Sequence, residues 1–221
     1  MPENTRRMNQ AGHRIAGCLI IECRTAILTI SAQWLLFGNQ VGFMVGIISF
    51  AITLVPNPLI KDYSLYIATK VCISLLLCAH IVFGMYCDFY EISVVYDKFM
   101  HLIGMAALTG LVLVATVKYY KRVELRLPQA LLLILVLGIA VSAGTLWEVF
   151  EFAMDHTGLF YAQRGLQDTM LDLIADTTGA LTTLAIYTRM LRTDNFRLRS
   201  DFYRVKAPNS YAHCNDNSDA V

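Results

Sequence analysis

Long runs of apolar residues dominate the middle of this chain. A helix needs about 20 such residues to cross the hydrocarbon core of a bilayer. Three runs reach that length cleanly, at residues 65–85, 99–117 and 130–150. A fourth, at residues 166–190, is long enough but carries aspartates along its first half. The pattern predicts an all-α, polytopic membrane helix bundle.

The region from residue 15 to residue 55 allows two interpretations. It forms either one long span after an amphipathic stretch, or two spans hinged at Gly38, Asn39 and Gln40. Composition agrees with a membrane setting, since 56% of the residues are hydrophobic and 16% are charged. Soluble domains carry roughly 25% charged residues. Lipid is therefore the expected solvent of most of the chain.

Basic residues decide between the span counts. Cytoplasmic loops of membrane proteins are enriched in Lys and Arg. Six spans with both termini in the cytoplasm place 14 of the 18 Lys and Arg residues inside. Five spans would put the N-terminal arginines outside. We therefore predict a cytoplasmic segment at 1–14, a six-span domain at 15–192, and a largely disordered cytoplasmic tail at 193–221. No signal peptide is expected.

Acidic residues are sorted by the same orientation. Nine of the 17 Asp and Glu residues fall at the outward ends of the last three predicted spans. Seven of these nine acids, together with His101, form three groups that each share a helix face because of their spacing. The members with candidate chemistry are Asp97 with His101, Glu148 with Glu151 and Asp155, and Asp168 with Asp172 and Asp176.

Two explanations compete for these acids. Asp97 and Asp168 stand at predicted helix starts, where aspartate commonly caps free N–H groups. The other acids could form ion pairs with Lys98, Arg164, His101 or His156. An acid at membrane depth costs roughly 2.5–3.5 kcal/mol and normally has a partner. Because the acids outnumber the nearby bases, a bound divalent cation of undetermined identity is the favoured explanation. The candidate ligands are Asp97, His101, Glu148, Glu151, Asp168 and Asp172, with Asp176 in a second tier.

The order and spacing of these groups resemble those of the YjdF family of bacterial inner-membrane proteins and, more distantly, of VanZ-like proteins. The resemblance covers roughly residues 65–190. It implies a location in the inner cell membrane without a defined activity. Lys98, Asp155 and Asp176 depart from the family pattern. The matching residues are Asp97 and His101, then Glu148 and Glu151, then Asp168, Thr169, Asp172, Gly179 and Ala180.

Three functions are compatible with the sequence. The leading hypothesis is a divalent-cation site that acts on a lipid or lipid-linked substrate, with Glu148, Glu151 and His101 as candidate catalytic residues. The second is a proton- or cation-coupled transporter. The third is a non-catalytic envelope protein that binds an amphiphile. The bilayer is the expected partner and nucleic acid is not, while the substrate and the oligomeric state stay open.

Overall fold

A computed structural model describes residues 3–55, 63–123, 128–158 and 161–192. The predicted tail at 193–221 lies outside these residues. The chain divides into two compact units, residues 1–185 and 186–221, and of the second the structure describes only the last turns of one helix. Within the described ranges all regular structure is helical. Its elements are α1 (Glu3–Leu36), α2 (Gln40–Leu54), α3 (Tyr63–Ala79), a π-helix (His80–Tyr86), α4 (Phe89–Ile92), α5 (Val94–Arg122), α6 (Gln129–Asp155) and α7 (Leu166–Arg192).

Four helical stretches among the described residues are long and apolar enough to cross a membrane by themselves: Ala11–Leu36, Tyr66–Tyr86, Val94–Tyr120 and Gln129–Asp155. The other two predicted spans are also helices. At 15 residues, α2 is about 22 Å long and apolar. Helix α7 has 27 residues and carries the predicted aspartates. These helices confirm a polytopic membrane helix bundle.

The region from residue 15 to 55 forms two helices rather than one. Gly38 adopts a φ of +79°, a left-handed conformation that interrupts the helix and suits glycine. Asn39 then caps α2, because its side-chain oxygen accepts a hydrogen bond of 2.8 Å from the amide of Gly42. The predicted hinge at residues 38–40 is therefore where α1 ends and α2 begins.

The segment before α5 is wound more loosely than an ordinary helix. Helix α3 continues into the π-helix, and the short helix α4 then leads to Ser93. The Ser93 hydroxyl accepts a hydrogen bond of 3.3 Å from the amide of Tyr96 and so caps α5. Asp97 lies inside the first turn and is not the cap. The explanation of Asp97 as the N-cap of this helix is thus wrong.

Helices α5 and α7 approach each other closely at Gly179. A Cβ atom at this position would collide with the carbonyl oxygen of Leu102 in α5. The next residue of α7, Ala180, is fully buried and forms a small apolar core with Met105 of α5 and Ala140 of α6. This contact brings the first turns of α5 and α7 next to the last turns of α6, where the acidic residues lie.

Candidate functional site

Charged side chains from three helices converge at one end of the bundle. Helix α5 contributes them from its first turns, α6 from its last turns and α7 from its first half. We call this group the carboxylate cluster. Its members are Asp97, Lys98, His101, Glu148, Glu151, Asp168, Asp172 and Asp176.

His101 lies at the centre of the cluster. Its Nδ1 atom is 3.2 Å from Asp176 Oδ1, and because a carboxylate only accepts, the imidazole donates this hydrogen bond. Its Nε2 atom faces oxygens of Glu148 at 3.8 Å, Asp172 at 3.8 Å and Asp97 at 4.0 Å. These three distances are too long for hydrogen bonds. Nε2 is therefore surrounded by carboxylate oxygens that it does not directly bind.

Two of these acids are buried with oxygens that lack a hydrogen bond. Glu148 is 4% exposed and Asp172 is 2% exposed. Among the described residues, neither oxygen of Glu148 has a hydrogen-bond partner, and the same holds for Asp172 Oδ1. A buried carboxylate without a partner costs a large desolvation free energy. The unpartnered oxygens of Glu148 and Asp172 belong to the acids around His101 Nε2. Asp176 Oδ2, which lies beside Gly144, also lacks a hydrogen-bond partner in the part of the chain that the structure describes.

Lys98 forms ion pairs with three acids of the cluster. Its ammonium group donates to Asp168 Oδ1 at 2.5 Å, to Asp172 Oδ2 at 2.7 Å and to Asp97 Oδ2 at 3.0 Å. The ion-pair explanation therefore describes Asp168 well. Pairing with Lys98 accounts for only one oxygen each of Asp97 and Asp172. The basic group beside Glu148 is His101, whose Nε2 atom lies 3.8 Å from Glu148 Oε1.

Glu151 lies at the edge of the cluster, one turn beyond Glu148. The indole Nε1 of Trp147 donates a hydrogen bond of 2.8 Å to Glu151 Oε1. Ligand-type atoms of His101, Glu148 and Glu151 lie within 4.8 Å of one another, and the same is true of Asp97, His101 and Asp172. All the first-tier candidates except Asp168 thus border the space around His101.

Asp155 does not join the cluster, although it shares a predicted helix face with Glu148 and Glu151. Its two carboxylate oxygens accept hydrogen bonds from the backbone amides of Ala162 at 2.7 Å and Gln163 at 2.9 Å. Asp155 therefore fixes the segment before α7. The Gln163 side chain extends the same contact by donating to the Glu148 carbonyl at 3.2 Å.

The side chain of Arg164 contacts residues at the edge of the carboxylate cluster and not its members. Its guanidinium donates to the carbonyl oxygen of Tyr90 and lies 3.5 Å from Glu91 Oε1. The Tyr90 hydroxyl is 2.8 Å from Nδ1 of His80. Burial raises the pKa of the Tyr90 phenol, so this hydroxyl keeps its proton at neutral pH. These contacts connect the rim of the cluster with the π-helix.

Gly144 is a part of the site that the sequence analysis missed. A Cβ atom at this position would collide with Asp176 Oδ2 and lie 3.2 Å from the Met105 methyl group. The absent side chain makes room for the carboxylate of Asp176 beside His101. The signal was present in the spacing, since Gly144 precedes Glu148 by four residues and shares its helix face.

Comparison with known proteins identifies a family whose description names no activity. Residues 18–193 match the family described as Predicted membrane protein (DUF2238), to which the YjdF proteins belong. A Thermotoga maritima protein named "Uncharacterized protein" is 36% identical over 125 residues, or 55% of this chain. The chain covers 62% of that relative's length. No solved structure matches the chain.

Proposed function

The chain belongs to the DUF2238 family of predicted membrane proteins, and we propose that it binds a divalent cation in the carboxylate cluster. The bound cation would serve hydrolysis or group transfer on a lipid or lipid-linked substrate. The first ligands would be His101, Glu148, Asp172 and Asp97. Glu151 would act beside them.

One observation carries this proposal, namely the geometry around His101 Nε2. Ligand bonds to Mg²⁺, Mn²⁺ or Zn²⁺ are about 2.0–2.2 Å long, so two ligand atoms on one ion lie about 3–4 Å apart. The oxygens of Glu148, Asp172 and Asp97 lie 3.8, 3.8 and 4.0 Å from Nε2. The separations are long for direct bonds and suitable for a shared ion.

The other nitrogen of His101 supports the same interpretation. A metal-bound histidine usually donates its second N–H to a carboxylate, which fixes the ring and its tautomer. Asp176 accepts such a bond from Nδ1. The mixed imidazole and carboxylate donors suit borderline or hard divalent metals. A cation would also compensate the buried oxygens of Glu148 and Asp172.

The chemistry we propose follows from an open position on the cation. A metal lowers the pKa of a bound water toward neutrality. Glu151, which Trp147 holds in place, would accept the proton from this water. The water oxygen would bond to the ester centre of the substrate as the bond to the leaving alkoxide breaks, and the alkoxide would take the proton back from Glu151. The position at helix ends near a membrane surface suits a substrate with a lipid anchor.

An apolar layer makes us prefer this function over transport. Along α7, the next buried residues after Asp176 are Gly179 and Ala180, and Ala180 packs with Met105 and Ala140. The nearby hydroxyl of Thr109 donates to the Met105 carbonyl at 2.7 Å. A transporter needs polar groups that continue toward the other membrane surface. Binding of an amphiphile without turnover would instead favour the third hypothesis, a non-catalytic envelope protein. The distant resemblance to VanZ-like proteins suggested that hypothesis.

We further propose that the cluster faces outward from the inner membrane and that both termini are cytoplasmic. The basis is the uneven distribution of Lys and Arg. Reporter fusions after Lys61, Arg122 and Thr193 should report the cytoplasm, and fusions after Glu91 and Gly158 should report the opposite side. A cytoplasmic signal at Gly158 would contradict the outward orientation of the cluster.

Metal addition to the purified protein tests the central proposal. A ligand that binds the folded state stabilises it by about 2.7 kcal/mol at one hundred times its dissociation constant. We expect the chelator-treated protein in detergent to unfold at a higher temperature after addition of Mg²⁺, Mn²⁺, Zn²⁺ or Ca²⁺. If none of the four ions raises the unfolding temperature, the cation proposal is wrong. If an ion does raise the unfolding temperature, an assay for hydrolysis of model lipid esters distinguishes catalysis from metal binding alone.

A further inference from the structure

Two carboxylates of the cluster divide their oxygens between two positive positions. Asp172 Oδ2 is 2.7 Å from Lys98 Nζ, while its Oδ1 is 3.8 Å from His101 Nε2. Asp97 Oδ2 is 3.0 Å from Lys98 Nζ, while its Oδ1 is 4.0 Å from the same imidazole nitrogen. Carboxylates that link two cations in this way are typical of helical sites that hold two metal ions.

We infer that the carboxylates around Lys98 form a second cation position, which the lysine ammonium fills in place of a metal ion. This inference rests on the proposed function and deepens it. The centre then holds one metal ion next to a fixed positive charge, with Asp97 and Asp172 shared between them. Lys98 would thereby set the number of metal ions that the protein binds.

The surroundings of Lys98 match those of a metal ion in number and kind. Three carboxylate oxygens from two helices lie within 3.0 Å of Nζ, and its side chain is 17% exposed. The three acids carry more negative charge than one ammonium neutralises. The position is therefore suited to a divalent ion if the lysine is removed.

Asp168 separates the two positions experimentally. Its Oδ1 contacts Lys98 and its Oδ2 accepts a hydrogen bond of 3.1 Å from the amide of Arg164. No contact joins it to His101 in the described part of the chain. Asp168 is thus a ligand of the second position alone, whereas Asp97 and Asp172 belong to both.

Removal of the ammonium should change the metal stoichiometry. We expect the parent chain to bind one Mn²⁺ ion and Lys98→Ala to bind two. Lys98→Arg keeps the cation and should bind one ion. The double variant Lys98→Ala/Asp168→Asn removes one charge of each sign and one ligand of the second position, and it should also bind one. The measurement is bound Mn²⁺ per chain after equilibrium dialysis of the full chain in detergent.

The double variant and purification with Mn²⁺ keep the test informative if Lys98→Ala folds poorly without metal. Lys98→Ala leaves three neighbouring acids without a counterion, so it is purified in the presence of Mn²⁺. When the parent binds one ion, a single ion in Lys98→Ala, or two ions that persist in the double variant, would overturn the inference. If the parent binds no ion and Lys98→Ala binds one, the proposed function fails while the inference stands. One ion in both parent and Lys98→Ala gives the reverse, and no ion in either refutes both.

Discussion

Replacement of Glu148 by glutamine is expected to abolish the stabilisation that a divalent cation gives, while the metal-free protein stays at least as stable as the parent. Glutamine keeps the shape of the side chain and removes its charge. Glu148 is 4% exposed, and neither of its oxygens has a hydrogen-bond partner in the described part of the chain. Without metal, its charge is therefore a cost to the folded state. With metal, the same oxygens become ligands.

The opposite result follows if Glu148 is only the partner of a charged His101. Breaking a buried ion pair on one side typically costs 3–5 kcal/mol. Glu148→Gln would then unfold at a lower temperature with and without metal. The two explanations thus predict opposite signs for the metal-free protein. The distance of 3.8 Å between Glu148 Oε1 and His101 Nε2 leads us to expect the first.

Thermal unfolding in detergent measures both effects, first with a chelator and then with Mn²⁺ in excess. Glu91→Gln is the matched control, since Glu91 lies at the same end of the bundle with a side chain that is 72% exposed. The control should keep the full metal-dependent gain of the parent. A Glu148→Gln protein that gains as much as the control would exclude Glu148 as a ligand.

The fold was largely predictable because lipid imposes a simple rule on a chain. Backbone groups in a bilayer must be satisfied within the segment, so apolar runs of sufficient length become helices. The runs at 65–85, 99–117 and 130–150 all lie within helices of the structure. Helix α2 was harder to predict, because only the left-handed Gly38 and the capping Asn39 separate it from α1.

The candidate site was predictable from spacing only up to a point. Helical periodicity indicates which residues share a face, and it correctly grouped Asp97 with His101 and Asp172 with Asp176. It does not indicate which neighbouring helix that face meets. For this reason Asp155, which follows Glu151 by four residues, was grouped with Glu148 and Glu151 although it binds the backbone at Ala162 and Gln163.

Long and missing side chains limited the prediction in a different way. Lys98 adjoins Asp97 in sequence, yet its flexible stem lets the ammonium reach Asp168 and Asp172 on another helix. No spacing rule on one helix predicts that reach. Gly144 has no side chain to suggest a role, and its importance appears only when α6 and α7 are packed together.

Asp176 shows how much a residue outside the ligand set can matter. It was ranked below the other acids because it departs from the family pattern, but its Oδ1 atom is 3.2 Å from His101 Nδ1. A carboxylate in this position orients the imidazole and raises its basicity as a ligand. The neutral amide of asparagine can still accept the hydrogen bond but provides less negative charge.

Asp176→Asn should therefore weaken Mn²⁺ binding by 10- to 100-fold, the usual effect of removing a partner of a metal-bound histidine. Titration calorimetry in detergent gives this change directly. Gly144→Ala should weaken binding in the same direction, because its methyl group would displace Asp176. The matched control is Gly138→Ala on the same helix, where a Cβ atom meets nothing within 4 Å. If Asp176 only stabilises the fold, Asp176→Asn will instead lower the unfolding temperature in chelator. Its dissociation constant for Mn²⁺ will then equal that of the parent.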